Sequence, residues 1–358
     1  MKVFYTWGEG VMQNKYDPGF GKAIEWDIPL LDGYDFTFVK NIADSPGSYH
    51  FKGIDNPTLI KEIAQWNPDA ILVFGWSFKS HLKVLRHFKG KRTVLFRGDS
   101  NLLDEANGFS VRKIFRRIFL KWIYRHIDTA LYAGSANKAY YLQLGLINDQ
   151  LVFAPHAIDN DRFMQDDTSN ERSSLGIPAE AVVFLFTGKF EEKKHPQLLL
   201  DCFIALNNSN AHLLMVGNGK LETQLKTRAG QQATALKNSI HFMPFQNQLK
   251  MPAIYKMADA LVLPSRGPGE TWGLSVNEAM ACSRAVLVSD QCGCAADLVK
   301  NGQNGFIFKS KDGDDLLKKM QLFLVDQSII PAMGKRSLEI IQSWNFENIC
   351  KAVEDAVR

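Results

Sequence analysis

Cysteine is scarce in this sequence, and the few cysteines are arranged in a way that excludes two classes of scaffold. No Cys-x-x-Cys pair occurs, and the total of five is odd, which argues against a disulfide framework and against a zinc ribbon. Free thiols are typical of a reducing compartment, so we expect a cytoplasmic protein. The five are Cys202, Cys282, Cys292, Cys294 and Cys350.

Long apolar runs and an excess of one charge are missing as well. No stretch approaches the roughly 18 apolar residues of a membrane span, and the first residues lack the apolar segment of a signal peptide. The 42 basic residues are nearly balanced by 38 acidic ones, which is unlike a dedicated nucleic-acid-binding domain. The sequence therefore predicts neither a membrane-spanning protein nor a nucleic-acid partner.

Two catalytic signatures are also absent. No Gly-x-Gly-x-x-Gly follows the first strand, so the sequence lacks the dinucleotide fingerprint of a dehydrogenase. No Gly-x-Ser-x-Gly occurs, which argues against a serine nucleophile on a strand–helix elbow. The acidic pairs Asp166-Asp167 and Asp314-Asp315 fall in a linker and at a helix start, where acids are common, so no metal site is predicted.

What the sequence does contain is a long alternation of short apolar strands and amphipathic helices. Its 358 residues exceed one ordinary core, and the continuously apolar strands are typical of parallel sheets covered by helices. The pattern predicts an α/β fold with two Rossmann-like domains, at 1–165 and 166–340, facing a central cleft. A terminal helix is predicted at 341–358, and in related folds the last helix crosses back to the first domain. Predicted strands cover 3–5, 36–39, 70–74, 93–96, 129–132, 151–153, 182–186, 212–216, 240–242, 260–263 and 285–289.

The densest signal is a glycine-rich loop between a strand that ends at Leu263 and a helix that begins near Leu274. Glu270 lies in this loop, and Glu278 lies in the first turns of the helix. The N–H groups at a helix start bind anions, whereas a carboxylate beside an anion is useful only as a ligand of hydroxyl groups. The candidate residues for binding a ligand with both an anionic group and hydroxyl groups, such as a sugar donor, are Thr271, Trp272, Gly273 and Leu274.

A second loop, after the strand predicted at 182–186, adds positive charge. Gly188 permits a tight turn at the end of that strand. Lys189 and Lys194 supply the cations that a diphosphate needs. Two lysines, a helix start and two carboxylates together predict a site for a nucleotide-diphosphate sugar.

This combination resembles the retaining glycosyltransferases of family four, which have the GT-B fold. Glu270 and Glu278 match the family's two glutamates separated by seven residues. Gly188, Lys189 and Lys194 match its glycine–arginine–x4–lysine element, with lysine in place of the arginine. The resemblance is strong over most of the second half of the chain and weaker over the first half.

The resemblance implies a role for each matched residue. It implies that Glu278 binds the ribose hydroxyls and that Glu270 contacts the hydroxyls of the donor sugar. Lys189 and Lys194 would hold the diphosphate leaving group, and Gly217 lies in the family's glycine-rich turn after the second strand of this half. The family transfers with retention and needs no metal or other cofactor. Its leaving diphosphate helps to deprotonate the acceptor on the same face of the sugar.

The first half adds weaker candidates. Gly19 and Gly21 lie in the loop that faces the donor phosphates in the family. Arg97 follows the fourth predicted strand, where the resemblance places a catalytic residue near the reacting sugar. Asp99 beside it either binds sugar or acceptor hydroxyls or caps a helix. Two interpretations also stay open for Trp272, which either packs against the donor sugar or fills the interior of its loop.

One strongly patterned helix, predicted at 109–127, carries six basic residues and no acid. It either turns its apolar stripe to the core or lies on an anionic membrane as a peripheral contact at the inner face. The segment 1–165 holds 21 basic and 17 acidic residues against 21 of each in 166–358, so the charge excess belongs to the first half. The stripe comprises Val111, Ile114, Phe115, Ile118, Phe119, Trp122 and Ile123.

The resemblance implies a retaining, metal-independent hexosyl-type transferase. It would move a sugar from a nucleotide-diphosphate sugar to a hydroxyl of a sugar or lipid-linked glycan, in bacterial-type polysaccharide or glycoconjugate synthesis. A GT-B nucleotide-sugar epimerase is an alternative, but it does not explain the glutamate spacing. A catalytically inactive partner subunit is another, but it does not explain the presence of both glutamates and both lysines.

Overall fold

A computed structural model describes residues 1–9, 15–103, 110–165 and 171–358. Three predictions touch the remaining residues. The domain boundary after 165 adjoins them, the helix predicted at 109–127 begins on one of them, and the Asp166-Asp167 pair lies outside the described residues altogether.

The described part of the first half contains a four-stranded parallel sheet and two smaller pairs of strands. Its strands are β1 (Lys2–Tyr5), β2 (Lys15–Asp17), β3 (Lys22–Ile24), β4 (Asp35–Phe38), β5 (Ala70–Phe74), β6 (Thr93–Arg97), β7 (Thr129–Tyr132) and β8 (Leu151–Phe153). The sheet has the order β5-β6-β7-β8. β1 and β4 form a parallel pair, whereas β2 and β3 form a short antiparallel hairpin.

Helices cover the first sheet and complete its core. They are α1 (Leu59–Trp66), α2 (Lys79–Phe88), α3 (Val111–Tyr124) and α4 (Ser135–Gln143), with 3₁₀ turns at Phe51–Gly53 and Asn148–Gln150. The next helix, α5 (Asn160–Met164), instead buries Phe163 in a core cluster of the second half. Buried side chains such as Leu85, Phe96, Leu120 and Tyr141 pack into one cluster. This core holds the carboxyl ends of β5 to β8 at one edge, and loops that could meet a ligand start there.

The second half forms one six-stranded sheet in which every neighbouring pair is parallel. Its strands are β9 (Val182–Thr187), β10 (Ala211–Val216), β11 (Ile240–Met243), β12 (Ala260–Leu263), β13 (Ala285–Ser289) and β14 (Gly305–Phe308), in the order β11-β10-β9-β12-β13-β14. All residues of β9, β10, β12 and β13 are buried. Runs of apolar residues therefore form these strands because both faces of the sheet are covered.

Two helical layers provide that cover. The helices are α6 (Glu171–Ser174), α7 (Pro196–Leu206), α8 (Glu222–Gly230), α9 (Thr234–Asn238), α10 (Met251–Met257), α11 (Leu274–Ala281), α12 (Ala295–Leu298), α13 (Gly313–Val325) and α14 (Ile329–Ile341). Val183 and Leu185 of β9 join one buried cluster, and Phe184 and Phe186 join the other. The alternation of side chains along a strand places these two clusters on opposite faces of the sheet.

The last helix, α15 (Phe346–Val357), lies against the first sheet. Ala352 packs in a small buried cluster with Leu131 of β7 and with Ala154. Just before the helix, the ring of Trp344 contacts the ring of Phe153 edge-on, with centroids 5.3 Å apart. The end of the chain thus joins the two halves.

Each strand expected from the sequence is present within one residue of its predicted bounds. The hairpin β2–β3 and the edge strand β14 were not predicted. The hairpin alternates polar residues and lacks an apolar run, and β14 is a four-residue strand that begins at a glycine. Within the described ranges, no helix is long and apolar enough to cross a membrane.

Candidate functional site

Two loops meet at the carboxyl edge of the second sheet. One follows β9 and spans 188–195, and the other follows β12 and spans 264–273. β9 and β12 are neighbours in the sheet, so their carboxyl ends lie side by side. The N–H of Arg266 donates to the carbonyl of Lys193 at 2.9 Å and ties the loops together.

An ion pair between Lys194 Nζ and Glu270 Oε2 occupies this junction. The hydroxyl of Ser265 donates to the same carboxylate oxygen at 2.8 Å. Ser265 and Glu270 are buried, whereas the side chain of Lys194 is 18% exposed. Removal of one partner from such a pair destabilises the folded protein, because the remaining charge has lost its compensating partner in a largely buried position.

The loop that carries Glu270 is also held by the first half of the chain. Asn101 Nδ2 donates to the carbonyl of Thr271 at 2.9 Å, and the hydroxyl of Thr271 donates to Asp99 Oδ2 at 2.7 Å. From within the second half, the N–H of Gly293 also donates to the carbonyl of Glu270 at 3.1 Å. A Cβ on Gly293 would lie 1.7 Å from the Thr271 carbonyl oxygen, so this approach requires glycine.

Glu278 lies in α11 and is bound by a buried tyrosine. The hydroxyl of Tyr255 donates to Glu278 Oε2 at 2.6 Å and lies 2.9 Å from Thr187 Oγ1. Burial raises the pKa of Glu278 to about 7, against the opposing effects of the Tyr255 hydrogen bond and of the charges of Arg162 and Lys194. This carboxyl group therefore changes its charge near neutral pH.

Lys189 is paired with a residue of the first half. Its Nζ lies 3.0 Å from the carboxylate of Asp17, which also accepts hydrogen bonds from the N–H groups of Gly19 and Phe20 at 2.8 and 3.2 Å. Burial acts to raise the pKa of Asp17, but Lys189 and the two N–H donors outweigh it and hold that pKa below its usual range. A Cβ on Gly19 would lie 2.5 Å from Lys189 Cδ, so the glycine lets the turn close over the lysine.

The turn between β2 and β3 is itself well defined. Gly21 has a φ of +68°, and its N–H donates to the carbonyl of Asp17 at 2.8 Å. The ring of Phe20 contacts Phe245 edge-on at 4.7 Å, and Lys22 Nζ lies 4.3 Å from the centre of the Phe245 ring. The hairpin therefore rests on the second half and covers Lys189.

Trp272 is buried between two aromatic rings rather than directed at the ion pair. The centroid of its ring lies 5.3 Å from that of His156 and 5.0 Å from that of Trp344. Its Nε1 donates to Asn277 Oδ1 at 2.8 Å, and Asn277 Nδ2 donates to the carbonyl of His156 at 2.9 Å. Of the two interpretations drawn from the sequence, this geometry favours the filling of the loop's interior.

The guanidinium of Arg97 donates hydrogen bonds to main-chain carbonyls of its own half. Nη1 donates to the carbonyl of Ala154 at 2.9 Å, and Nη2 donates to that of Pro155 at 2.8 Å. Burial lowers the pKa of His156 to about 4, helped by the charge of Arg97 and opposed by Asp99. The arginine thus orients the segment that follows β8, a role that differs from the contact with the reacting sugar expected from the sequence.

The glycines expected at the site bring main chains close together. A Cβ on Gly217 would lie 1.9 Å from the carbonyl oxygen of Gly188, so the turns after β10 and β9 touch backbone to backbone. Gly273 precedes α11 with a φ of +103°, and a Cβ there would lie 2.8 Å from Leu263 Cδ2. Leu274 opens the helix and is exposed.

Several residues of the site were not identified as candidates from the sequence. The Asp-Pro-Gly turn at Asp17 is a recognisable signal, because an aspartate there accepts hydrogen bonds from its own turn. Tyr255 and Asn277 carry no such signal, since they contact partners on other elements, and Ser265 is one of several polar residues in the loop of its partner Glu270. The residues that the structure describes include no group of three or more His, Cys, Asp or Glu side chains that could hold a metal ion.

The sequence of the second half matches a known family. Residues 167–339 match the family described as "Glycosyl transferases group 1". The chain is 26% identical to a D-inositol 3-phosphate glycosyltransferase from Geodermatophilus obscurus, over 58% of this chain and 48% of that protein. It is 25% identical to the lipopolysaccharide core biosynthesis mannosyltransferase LpcC from Rhizobium leguminosarum, over 64% of this chain and 63% of that protein. The chain thus spans about half to two thirds of the length of these relatives.

Solved structures extend the likeness to both halves. Anabaena Alr3699/HepE in complex with UDP superposes with a TM-score of 0.70 at 18% identity, over 90% of this chain and 86% of that chain. The same protein in complex with UDP-glucose gives a TM-score of 0.64. This likeness confirms the predicted GT-B fold, with two Rossmann-like units of mainly parallel sheet.

Proposed function

We propose that the protein transfers a sugar from a nucleotide-diphosphate sugar to a hydroxyl acceptor, and the match of residues 167–339 to the glycosyl transferases group 1 family supports this proposal. The observation that carries this proposal is the contact between Lys194 and Glu270 where the loops after β9 and β12 meet. It puts a cation for a leaving phosphate beside a carboxylate that can bind sugar hydroxyls. Preorganised charge at the point where charge develops in the transition state is usually the largest single contribution to catalysis.

The nucleotide occupies the adjoining part of the same edge in this proposal. Glu278 binds the ribose hydroxyls, and its carboxylate lies close enough to Lys194 for that charge to influence its pKa. The close main-chain approach at Gly188 and Gly217 accommodates the diphosphate. The N–H groups of 271–274, at the start of α11, add donors for its oxygens. UDP and UDP-glucose are the first ligands to test, since a protein of this fold binds both.

The proposed reaction retains the configuration of the sugar. The bond between the anomeric carbon and the β-phosphate oxygen breaks while the acceptor oxygen bonds to the same face of that carbon. The acceptor proton passes to the departing phosphate oxygen. Lys189 and Lys194 neutralise the charge on the diphosphate, so the proposal requires no metal ion or other cofactor. Glu270 holds the sugar through its hydroxyls.

The acceptor belongs to the first domain in this proposal, and the domains keep their predicted bounds of 1–165 and 166–340. The terminal segment 341–358 crosses back, which is supported by the packing of Trp344 and Ala352 against the first half. A hydroxyl of a sugar or lipid-linked glycan is the acceptor class, as in bacterial-type polysaccharide or glycoconjugate synthesis. The mannosyltransferase LpcC named above acts in a process of that kind.

A donor screen tests the proposal first. UDP, GDP and their sugars are added in turn while thermal unfolding is followed, since a bound donor raises stability by mass action. The donor found is then incubated with acceptor glycans, and proton NMR of the product gives its anomeric configuration. Inversion, or activity that depends on an added metal, contradicts the mechanism. A changed sugar without acceptor indicates an epimerase, and donor binding without any transfer indicates an inactive subunit.

A further inference from the structure

Helix α3 turns most of its apolar stripe to solvent instead of to the core. Val111 is 60% exposed, Phe115 68% and Ile118 60%, and Ile114 and Phe119 are also exposed. These five recur at the spacing of one helical face. The other side of the helix buries Leu120, Ile123 and Tyr124 in the first core. The sequence left open whether this stripe faces the core, and for these five residues it does not.

The charge on this helix has one sign. Five basic residues lie within α3, Arg125 follows at its carboxyl end, and the helix contains no acid. Arg112 and Lys121 are exposed and lie near the two ends of the stripe. A helix with aromatic and aliphatic side chains on one face and lysine and arginine around it has the composition of helices that lie in a membrane interface.

The apolar surface continues beyond the helix toward the edge of the first sheet. Trp76, in the loop after β5, contacts Phe119 edge-on at 5.9 Å, and Phe119 stacks on Trp122 at 5.7 Å. Phe74 ends β5 and is 63% exposed. Since β5 ends at the edge from which the Asp99 loop leaves β6, this surface lies at the same edge as the contacts to Thr271.

We propose that this face, formed by the five exposed residues of α3, docks on an anionic lipid bilayer. The charge identifies the partner, because the exposed Arg112 and Lys121 beside an apolar stripe complement a surface with phosphate groups over hydrocarbon. The helix lies in the interface plane, with its phenylalanines and isoleucines among the upper acyl chains. This inference rests on α3 alone. If the proposed transfer function also holds, the face brings the cleft to lipid-linked acceptors.

Vesicle sedimentation with the full chain tests the proposal. We expect the protein to pellet with vesicles of equal parts phosphatidylcholine and phosphatidylglycerol and to stay in solution with phosphatidylcholine alone. Added salt should weaken the binding. Phe115→Ser with Ile118→Ser should weaken it at least about tenfold, because two large apolar groups no longer enter the bilayer. Arg112→Glu with Lys121→Glu should weaken it by a similar factor.

Matched controls separate this face from a general effect of the substitutions. Leu322→Ser with Val325→Ser removes exposed apolar groups from α13, and Lys318→Glu with Lys335→Glu reverses exposed charges on α13 and α14. Both controls should bind as the wild type does, and thermal unfolding should show all variants folded. Equal binding to neutral vesicles, or unchanged binding of both α3 variants, overturns the proposal. So does a lipid-free dimer that the Phe115 and Ile118 substitutions dissociate, since a second copy then covers the face.

Discussion

Asp17 of the first half and Lys189 of the second half form an ion pair although they lie 172 positions apart in the sequence. The lysine is the residue that the proposed mechanism assigns to the diphosphate. The aspartate is held in place by two N–H groups of its own turn. In the proposed mechanism the carboxylate of Asp17 competes with a donor phosphate for Lys189, and the hairpin β2–β3 would release the lysine when a donor binds.

The first prediction follows from this competition. Asp17→Asn should tighten the binding of UDP by about two- to fivefold, because a partly exposed ion pair contributes up to about 1 kcal/mol. The amide oxygen can still accept the N–H bonds of the turn, so the hairpin should persist. Isothermal titration with UDP measures the change, and Asp44→Asn, an exposed aspartate elsewhere in the first half, is the control. Weaker binding of the Asp17 variant would show that the carboxylate supports the site instead of competing for it.

The second prediction concerns the chemistry at the Lys194–Glu270 pair. Lys194→Met should lower kcat of transfer by about a hundredfold or more, as expected for the loss of one preorganised charge at a leaving group. Lys193→Met, which removes the neighbouring and more exposed lysine, should leave kcat within about twofold. Release of the nucleotide in a coupled assay provides the rates. Equal losses in the two variants would mean that net charge, and not the position of Lys194, matters.

The third prediction concerns the contribution of this ion pair to the free energy of unfolding, which is measured without reference to activity. Lys194→Met and Glu270→Gln should each lower the free energy of unfolding by about 1–4 kcal/mol, since each leaves one buried charge without its partner. The double variant should recover most of that loss, because no uncompensated charge remains. Urea unfolding of the four proteins gives the coupling. Additive losses would show that the two side chains do not interact in solution.

Glu278 predicts a pH dependence of donor binding. Its folded pKa is about 7, so the carboxylate that accepts ribose hydroxyls forms as the pH rises through neutrality. The affinity for UDP-glucose, whose diphosphate does not titrate in this range, should therefore increase between about pH 6 and pH 8 and then level off. Tyr255→Phe removes a hydrogen bond that lowers this pKa, so it should move the midpoint upward. Titrations across this range decide the matter, and the profile of Glu278→Gln should be flat. A wild-type profile without a midpoint near 7 contradicts the assignment.

A further prediction concerns the contribution of Asn277 to the free energy of unfolding. It is fully buried and joins the indole N–H of Trp272 to the carbonyl of His156. Asn277→Ala should lower the free energy of unfolding by about 2–4 kcal/mol, because two buried polar groups lose their partner. Asn238→Ala, at an exposed position at the end of α9, should change it by less than about 0.5 kcal/mol. Near-equal effects would mean that water replaces the amide.

The core of the candidate site was predictable because its signals are local. Glycines, lysines and glutamates follow apolar strands over two short stretches, 188–194 and 264–278. Strands of a parallel sheet bring such loops to one edge whatever the details of packing. The partners of these residues were not predictable. Tyr255 binds Glu278 from another helix, and Asp17 binds Lys189 from the other half of the chain.

Arg97 and Trp272 show most directly which contacts could not be predicted from the sequence. Their position after a strand or within the key loop is equally compatible with a ligand contact and with a structural role. The structure directs the guanidinium to the carbonyls of Ala154 and Pro155 and buries the indole against His156 and Trp344. A buried donor takes the acceptor that packing supplies, and no spacing in the sequence specifies that acceptor.

The sequence by itself determined every described strand except β2, β3 and β14, the two-domain α/β class and the loops that carry charge, because periodicity and turn chemistry act between near neighbours in the chain. Only the tertiary structure decided that Asp17 pairs with Lys189, that Glu270 pairs with Lys194, and that the stripe of α3 faces solvent. A helical pattern specifies which side chains share a face. What lies against that face depends on packing between segments far apart in the sequence.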